Sequence, residues 1–304
     1  MKRYPSCIMA TCCIAWDAEG QFAEAIFRHG VRTTLAHGTK HLYVFGTAGE
    51  GYAVTDWQFD QIVAAFADEM RQGDAEPMVG VIDLSLGTIC QRIERCRDVG
   101  VRQFQISLPS WGALAEHELF NFFDVVCGGF PDCQFMHYNL PRTKRIVTGK
   151  EYGRLAEAHA NLVATKNCGD SLSHVRSLME DAPQLQHFLS EAGYVYGSLF
   201  GECGILASFI MNWPKLNALW EAGRRRHLDA MVSIQREVDI VIQTLFETVP
   251  DGRIDGSYDK LFEKMYDVEF PLRLLPPYVG SSDEEYRAFV RLLGERLPEW
   301  VPNP

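Results

Sequence analysis

The stretch from residue 41 to residue 82, HLYVFGTAGEGYAVTDWQFDQIVAAFADEMRQGDAEPMVGVI, decides the fold. It opens on one short apolar run, residues 41–45, and closes on another, residues 78–82. Between them lies a helical pattern over residues 56–71, with Thr55 and Asp56 available to cap its first turn. Runs such as LYVF and MVGVI are continuous rather than alternating, which fits strands covered on both faces, and strand–helix–strand order calls for a parallel pair. The same unit recurs in both directions. Upstream, residues 7–14 precede a helix near 22–36. Downstream, residues 89–99 form the third helix, ended by Gly100, and strands at 103–108, 134–138, 162–166, 185–189 and 204–207 precede helical stretches near 116–126, 150–160, 172–181, 194–200 and 214–225. Eight such units predict an α/β fold, a closed (β/α)8 TIM barrel rather than an open doubly wound sheet. Past about residue 228 only helical patterns remain. The expected organisation is therefore a catalytic barrel over residues 1–226 and a C-terminal helical extension, 227–304, packed on it.

Charge narrows the partners. The 304 residues carry 29 Lys and Arg against 40 Asp and Glu, a net charge of −11, which argues against nucleic acid or an anionic membrane. The one basic cluster, Arg224-Arg225-Arg226, points three ways on a helix and reads as solvated surface. Nine cysteines without a CxxC pair, and histidines without HExxH, support no metal site and read as thiols in a reducing cytoplasm. The opening MKRYPSCIMATCCIAWDA imitates a signal peptide but is read as the first strand, and no run is long enough to span a membrane.

In such a barrel, reactive groups belong at the carboxyl ends of the strands. Of eight lysines only Lys166, in LVATKNC (162–168), closes an apolar run. Apolar walls favour its neutral amine, the form that attacks a carbonyl to give a Schiff base. An ordinary strand-end lysine paired to a carboxylate is the competing reading. The fifth strand ends in His137-Tyr138-Asn139 and the second in Gly46-Thr47-Ala48-Gly49-Glu50. A tyrosine hydroxyl can donate and recover a proton, and a glycine-rich turn can aim backbone N–H groups at a carboxylate. Each could equally be structural, as a core tyrosine and a tight loop.

These residues resemble those of the dihydrodipicolinate synthase and N-acetylneuraminate lyase family of class I aldolases. GTAGE (46–50) looks like its Gly-Thr/Ser-x-Gly-Glu turn and YNLP (138–141) like its Tyr-Asn-x-Pro. Lys166 sits in its lysine slot, and GECGILASFIMNWP (201–214) is similar to its eighth-strand segment. The resemblance implies that Lys166 forms a Schiff base with pyruvate or another 2-keto acid, that Tyr138 shuttles protons and that Thr47 joins that relay. It further implies that Gly46 and Ala48 help hold the substrate carboxylate and that Ile205 lines the site. It implies no metal and no cofactor beyond the covalent Schiff base, and a homotetramer built as a dimer of dimers. Glu50 is expected to be structural.

Departures limit the resemblance. Where the lysine-biosynthesis branch has a Thr-Pro-Tyr-Tyr-like loop after strand four, this chain has SLPSWG, with Ser110 and Trp111. Its carboxylate-gripping Arg comes one residue early, as Arg142, and Glu191 in SEAGY stands where a glycine is usual. These changes point away from a true dihydrodipicolinate synthase. Trp111 resembles branches that accept bulkier or aromatic partners, the hydratase-aldolases among them. The expectation is a lyase, aldolase or dehydratase acting on pyruvate or a 2-keto(-3-deoxy) acid through Lys166. The alternatives are a hydratase-aldolase on aromatic-substituted pyruvates and a barrel that has lost turnover and binds keto acids as a scaffold.

Overall fold

The computed structural model describes residues 3–168, 171–250 and 252–302. Eight parallel strands close into a barrel in chain order, the eighth pairing with the first. They are β1 (Ile8–Thr11), β2 (Leu42–Val44), β3 (Met78–Gly80), β4 (Gln103–Ile106), β5 (Gln134–Asn139), β6 (Leu162–Asn167), β7 (Gln186–Leu189) and β8 (Gly204–Ala207). The helices between and after them are α1 (Glu24–Ala36), α2 (Asp56–Gln72), α3 (Leu86–Asp98), α4 (Glu116–Gly129), α5 (Gly149–Ala158), α6 (Leu172–Asp181), α7 (Glu191–Gly197) and α8 (Trp213–Arg224). Three more follow: α9 (Leu228–Thr248), α10 (Asp255–Lys264) and α11 (Asp283–Arg296). The segment that imitated a signal peptide contains strand β1, as read.

Caps explain where two helices differ from expectation. Ser85 accepts from Thr88 N and starts α3 three residues early, and Ser190 accepts from Gly193 N and starts α7 at Glu191 rather than near Tyr194. Thr55 and Gln58 close a reciprocal capping box on α2.

The period of two along each strand sorts side chains into two buried sets. Met9, Tyr43, Met78, Met136, Ala164, Phe188 and Leu206 pack together inside the barrel. Their neighbours Ile8, Leu42, Val44, Phe104, Phe135 and Ile205 join the larger core between barrel and helices. Tyr138 and Lys166 share the inward register of Met136 and Ala164, and so does Gln105 on β4, whereas His137 faces out and bonds the Tyr152 hydroxyl at 2.6 Å.

The helical extension is fastened over the carboxyl end of the barrel. Lys260 on α10 meets Glu50 at 2.6 Å, and neither side chain is exposed. Glu50 also accepts from the Trp16 indole at 2.8 Å and from Leu275 N at 2.7 Å. Both carboxylate oxygens are thus engaged, in keeping with a structural role. At the start of α10, a Cβ on Gly256 would stand 3.1 Å from the Ala48 carbonyl oxygen, tighter than such contacts usually are, so the glycine eases the close approach of the helix to the Gly46–Gly49 turn.

Candidate active site

Lys166 is the last inward-facing residue of β6 and is 3% exposed. Its Nζ donates to the Tyr43 hydroxyl at 2.8 Å and stands 3.7 Å from the centroid of the Tyr138 ring. Loss of hydration on burial lowers its pKa, while Cys168, Asp255 and Asp259 act in the opposite direction. A lysine so placed has more of its neutral, nucleophilic amine than one in water.

Tyr138 comes from the neighbouring strand, where it is the register partner of Lys166. Its hydroxyl lies 3.3 Å from Thr47 Oγ1, and Cys168 Sγ stands 3.7 Å from it. Burial holds the Tyr138 phenol well above its ordinary pKa, with Cys168 adding to the rise and the Thr47 hydrogen bond opposing it. It is therefore a phenol at neutral pH, able to lend a proton but not a standing base. The turn that brings Thr47 here is tight. Phe45 takes a positive φ of 64° and Glu50 one of 54°, unusual for residues with a Cβ. Between them, Gly46 faces the lysine: a Cβ there would lie 2.7 Å from a Tyr43 ring carbon and 3.4 Å from Lys166 Nζ.

These groups surround a cavity of about 350 Å³, whose walls include Thr47, Ala48, Tyr138, Lys166 and Leu206. The helical extension supplies much of the remainder: Phe246 on α9 and Asp255, Tyr258, Asp259 and Phe262 on α10. A second, outer chamber of about 660 Å³ shares Thr47 with the first and is lined by Tyr52, Ser110, Leu140, Arg142 and Tyr278 among others.

Lys166, Tyr138, Thr47, Ala48 and Gly46 thus meet, whereas Ile205 and Trp111 stay outside the cavity and Arg142 lines the outer chamber. Ile205 does not reach the cavity: it packs outward against the helices, and its neighbour Leu206 takes the inward position, as alternation along a strand requires. Trp111 is 84% exposed and lines neither chamber, while its carbonyl accepts from Lys144 Nζ at 2.7 Å. Arg142 does line the outer chamber, but its guanidinium is already engaged. Nη1 and Nη2 donate to Asp255 at 3.2 and 2.9 Å, and this pairing raises the Arg142 pKa.

Several residues at the site were not singled out in the sequence. Tyr43 was legible in principle, as the inward position of LYVF. Gln105, buried in the barrel with both amide atoms lacking a protein partner, lies beneath Gly46. Asp259 was out of reach, because its place depends on how α10 docks. Its carboxyl faces the lysine cavity, and burial, with Asp255 close by, pushes its pKa up to about 8.

The barrel, with its buried lysine, has an aldolase-like lyase fold. The chain belongs to the dihydrodipicolinate synthetase family, which matches over residues 5–293. Among curated relatives, a 4-hydroxy-tetrahydrodipicolinate synthase of an Exiguobacterium species is 24% identical over 155 residues, 51% of this chain and 52% of that protein. The chain spans about half the length of such synthases in the first of these matches. An uncharacterized DapA-like lyase of Thermococcus onnurineus is 25% identical over 232 residues, 72% of this chain and 75% of that one. Solved structures with the same fold include YagE of E. coli K12, determined with pyruvate (TM-score 0.84, 17% identity, 96% of this chain and 98% of that chain). CdNal of Clostridium difficile, determined with mannosamine, is another (TM-score 0.83, 15% identity, 95% and 98%). Among the described residues no group of three or more His, Cys, Asp or Glu is placed to hold a metal ion, and no helix is long and apolar enough to cross a membrane.

Proposed function

We propose that this protein is a class I lyase that makes or breaks a carbon–carbon bond, or eliminates water, in pyruvate or a 2-keto(-3-deoxy) acid through a Schiff base on Lys166. The observation that carries the reading is the placement of Lys166 Nζ, buried and under the Tyr138 ring, with the Tyr138–Thr47 hydroxyl pair beside it. The amine adds to the keto carbon, and the carbinolamine loses water to give an iminium. A bond to the neighbouring carbon can then break, its electron pair passing into an enamine. Tyr138 lends a proton to the departing hydroxide and recovers one later, with Thr47 as its partner. The Gly46–Ala48 turn offers backbone N–H groups to the substrate carboxylate. The iminium is itself the electron sink, so the reading asks for no metal or organic cofactor. With it goes a homotetramer, a dimer of dimers, working in the cytoplasm.

A second reading, a hydratase-aldolase on aromatic-substituted pyruvates, draws support from the outer chamber, where Tyr52 and Tyr278 meet edge to face with centroids 5.2 Å apart. Borohydride reduction in the presence of pyruvate, followed by peptide mass mapping, tests the shared chemistry. An adduct on Lys166 is expected, and its absence would remove both readings. An adduct without turnover over a panel of keto acids would favour a binding or scaffold protein instead.

A further inference from the structure

The proposed Schiff-base chemistry leaves open what reacts with the pyruvate unit, and the two chambers bear on that choice. Thr47 lines both, and the Arg142–Asp255 pair bridges them, since Arg142 lines the outer chamber and Asp255 the inner. Among the described residues lining either chamber, Arg142 is the only cation apart from Lys166, and both of its terminal nitrogens are given to Asp255. The other carboxyl groups among these described residues are Asp83 in the outer chamber and Asp259 in the inner.

We infer that the site selects a second reactant without a carboxylate, an uncharged aldehyde whose apolar or aromatic arm lies in the outer chamber, because α10 has already occupied the one arginine that could receive an anion. The inference rests on the Schiff-base reading above. The Arg142–Asp255 pair is about half exposed, and by itself would yield to a competing carboxylate. Exchange is opposed by what it leaves behind. An Asp255 stripped of its arginine would stand as an unpaired carboxylate with a new anion in the same space. An uncharged arm causes no such conflict. It meets Tyr52, Leu84, Leu140 and Tyr278, and leaves the ion pair intact.

The experiment compares two 2-oxo acids of matched shape, 2-oxoglutarate and 5-methyl-2-oxohexanoate, in which a terminal isopropyl group replaces the terminal carboxylate. Each is trapped on the wild-type protein with borohydride, alongside pyruvate, and adduct formation on Lys166 is followed by mass. The uncharged tail is expected to be captured about tenfold faster than the anionic one, and Asp255→Ala, which frees Arg142, to narrow or reverse that ratio. Capture of 2-oxoglutarate as fast as its isostere by the wild-type protein, or a ratio unmoved by Asp255→Ala, would overturn the inference. The wild-type ratio decides even where the variant folds poorly. Failure to trap pyruvate would instead defeat the Schiff-base reading, and this inference with it.

Discussion

Glu50 and Lys260, 210 positions apart in the chain, form an ion pair sealed from solvent, and through it the helix carrying Asp255 and Asp259 is tied to the turn carrying Thr47. One oxygen of Glu50 holds α10 and the Trp16 indole, and the other holds the backbone at Leu275. The pair therefore fixes the distance between two walls of the lysine cavity.

Breaking it from one side leaves an uncompensated buried charge. Lys260→Met is expected to destabilise the fold by about 3–5 kcal/mol, read as a fall in Tm of roughly 5–10 °C. The double variant Glu50→Gln with Lys260→Met should lose clearly less than the sum of the two single changes, because it removes the stranded charge. Strictly additive losses in a double-mutant cycle would mean that the two residues act independently.

At Tyr138 the ring and the hydroxyl can be separated. Tyr138→Phe keeps the aromatic face beside Lys166 Nζ and deletes the group that lies 3.3 Å from Thr47. Trapping of pyruvate on Lys166 should remain detectable, while release of pyruvate from a 4-hydroxy-2-oxo acid should slow by about 10²-fold or more. Unchanged turnover would take Tyr138 out of the proton relay.

Asp259 gives a prediction in pH. Its carboxyl has a pKa of about 8 in the folded protein against an ordinary value of 3.8. Between those values the unfolded chain releases a proton that the folded one keeps, so this residue makes stability fall as pH rises from about 4 to 8, and contributes no further change above that. Asp259→Asn has no such dependence. Thermal melts should show the variant gaining a few degrees over wild type at pH 8, roughly the effect of 1–2 kcal/mol, with the gain fading toward pH 4. A difference that does not change with pH would show that Asp259 has ordinary acidity.

The contrast between Lys166 and Asp259 shows how far the sequence could be read. Lys166, Tyr138 and Thr47 close or follow apolar runs, and barrel geometry brings strand ends together whatever the intervening loops do. The eight units were legible for the same reason: burial on both faces leaves a mark in every strand. Ile205 and Leu206 show the grain of such reading, because a one-residue shift along a strand exchanges helix-facing for barrel-facing, and a motif match does not fix that register. Asp255 and Asp259 left no comparable mark. An acid in the first turns of a helix looks like any favourable N-terminal charge. Only the docking of α10, through Gly256 against Ala48 and Lys260 against Glu50, turns these acids toward the lysine.

The tether between Glu50 and Lys260 also sets an order of events during synthesis. The ribosome delivers the whole barrel, Lys166 included, before α10 exists, and until α10 arrives Glu50 has no cation to meet it and the lysine cavity stands open to water. With α10 the cavity gains Tyr258 and Phe262 as walls together with two acids, Asp255 and Asp259.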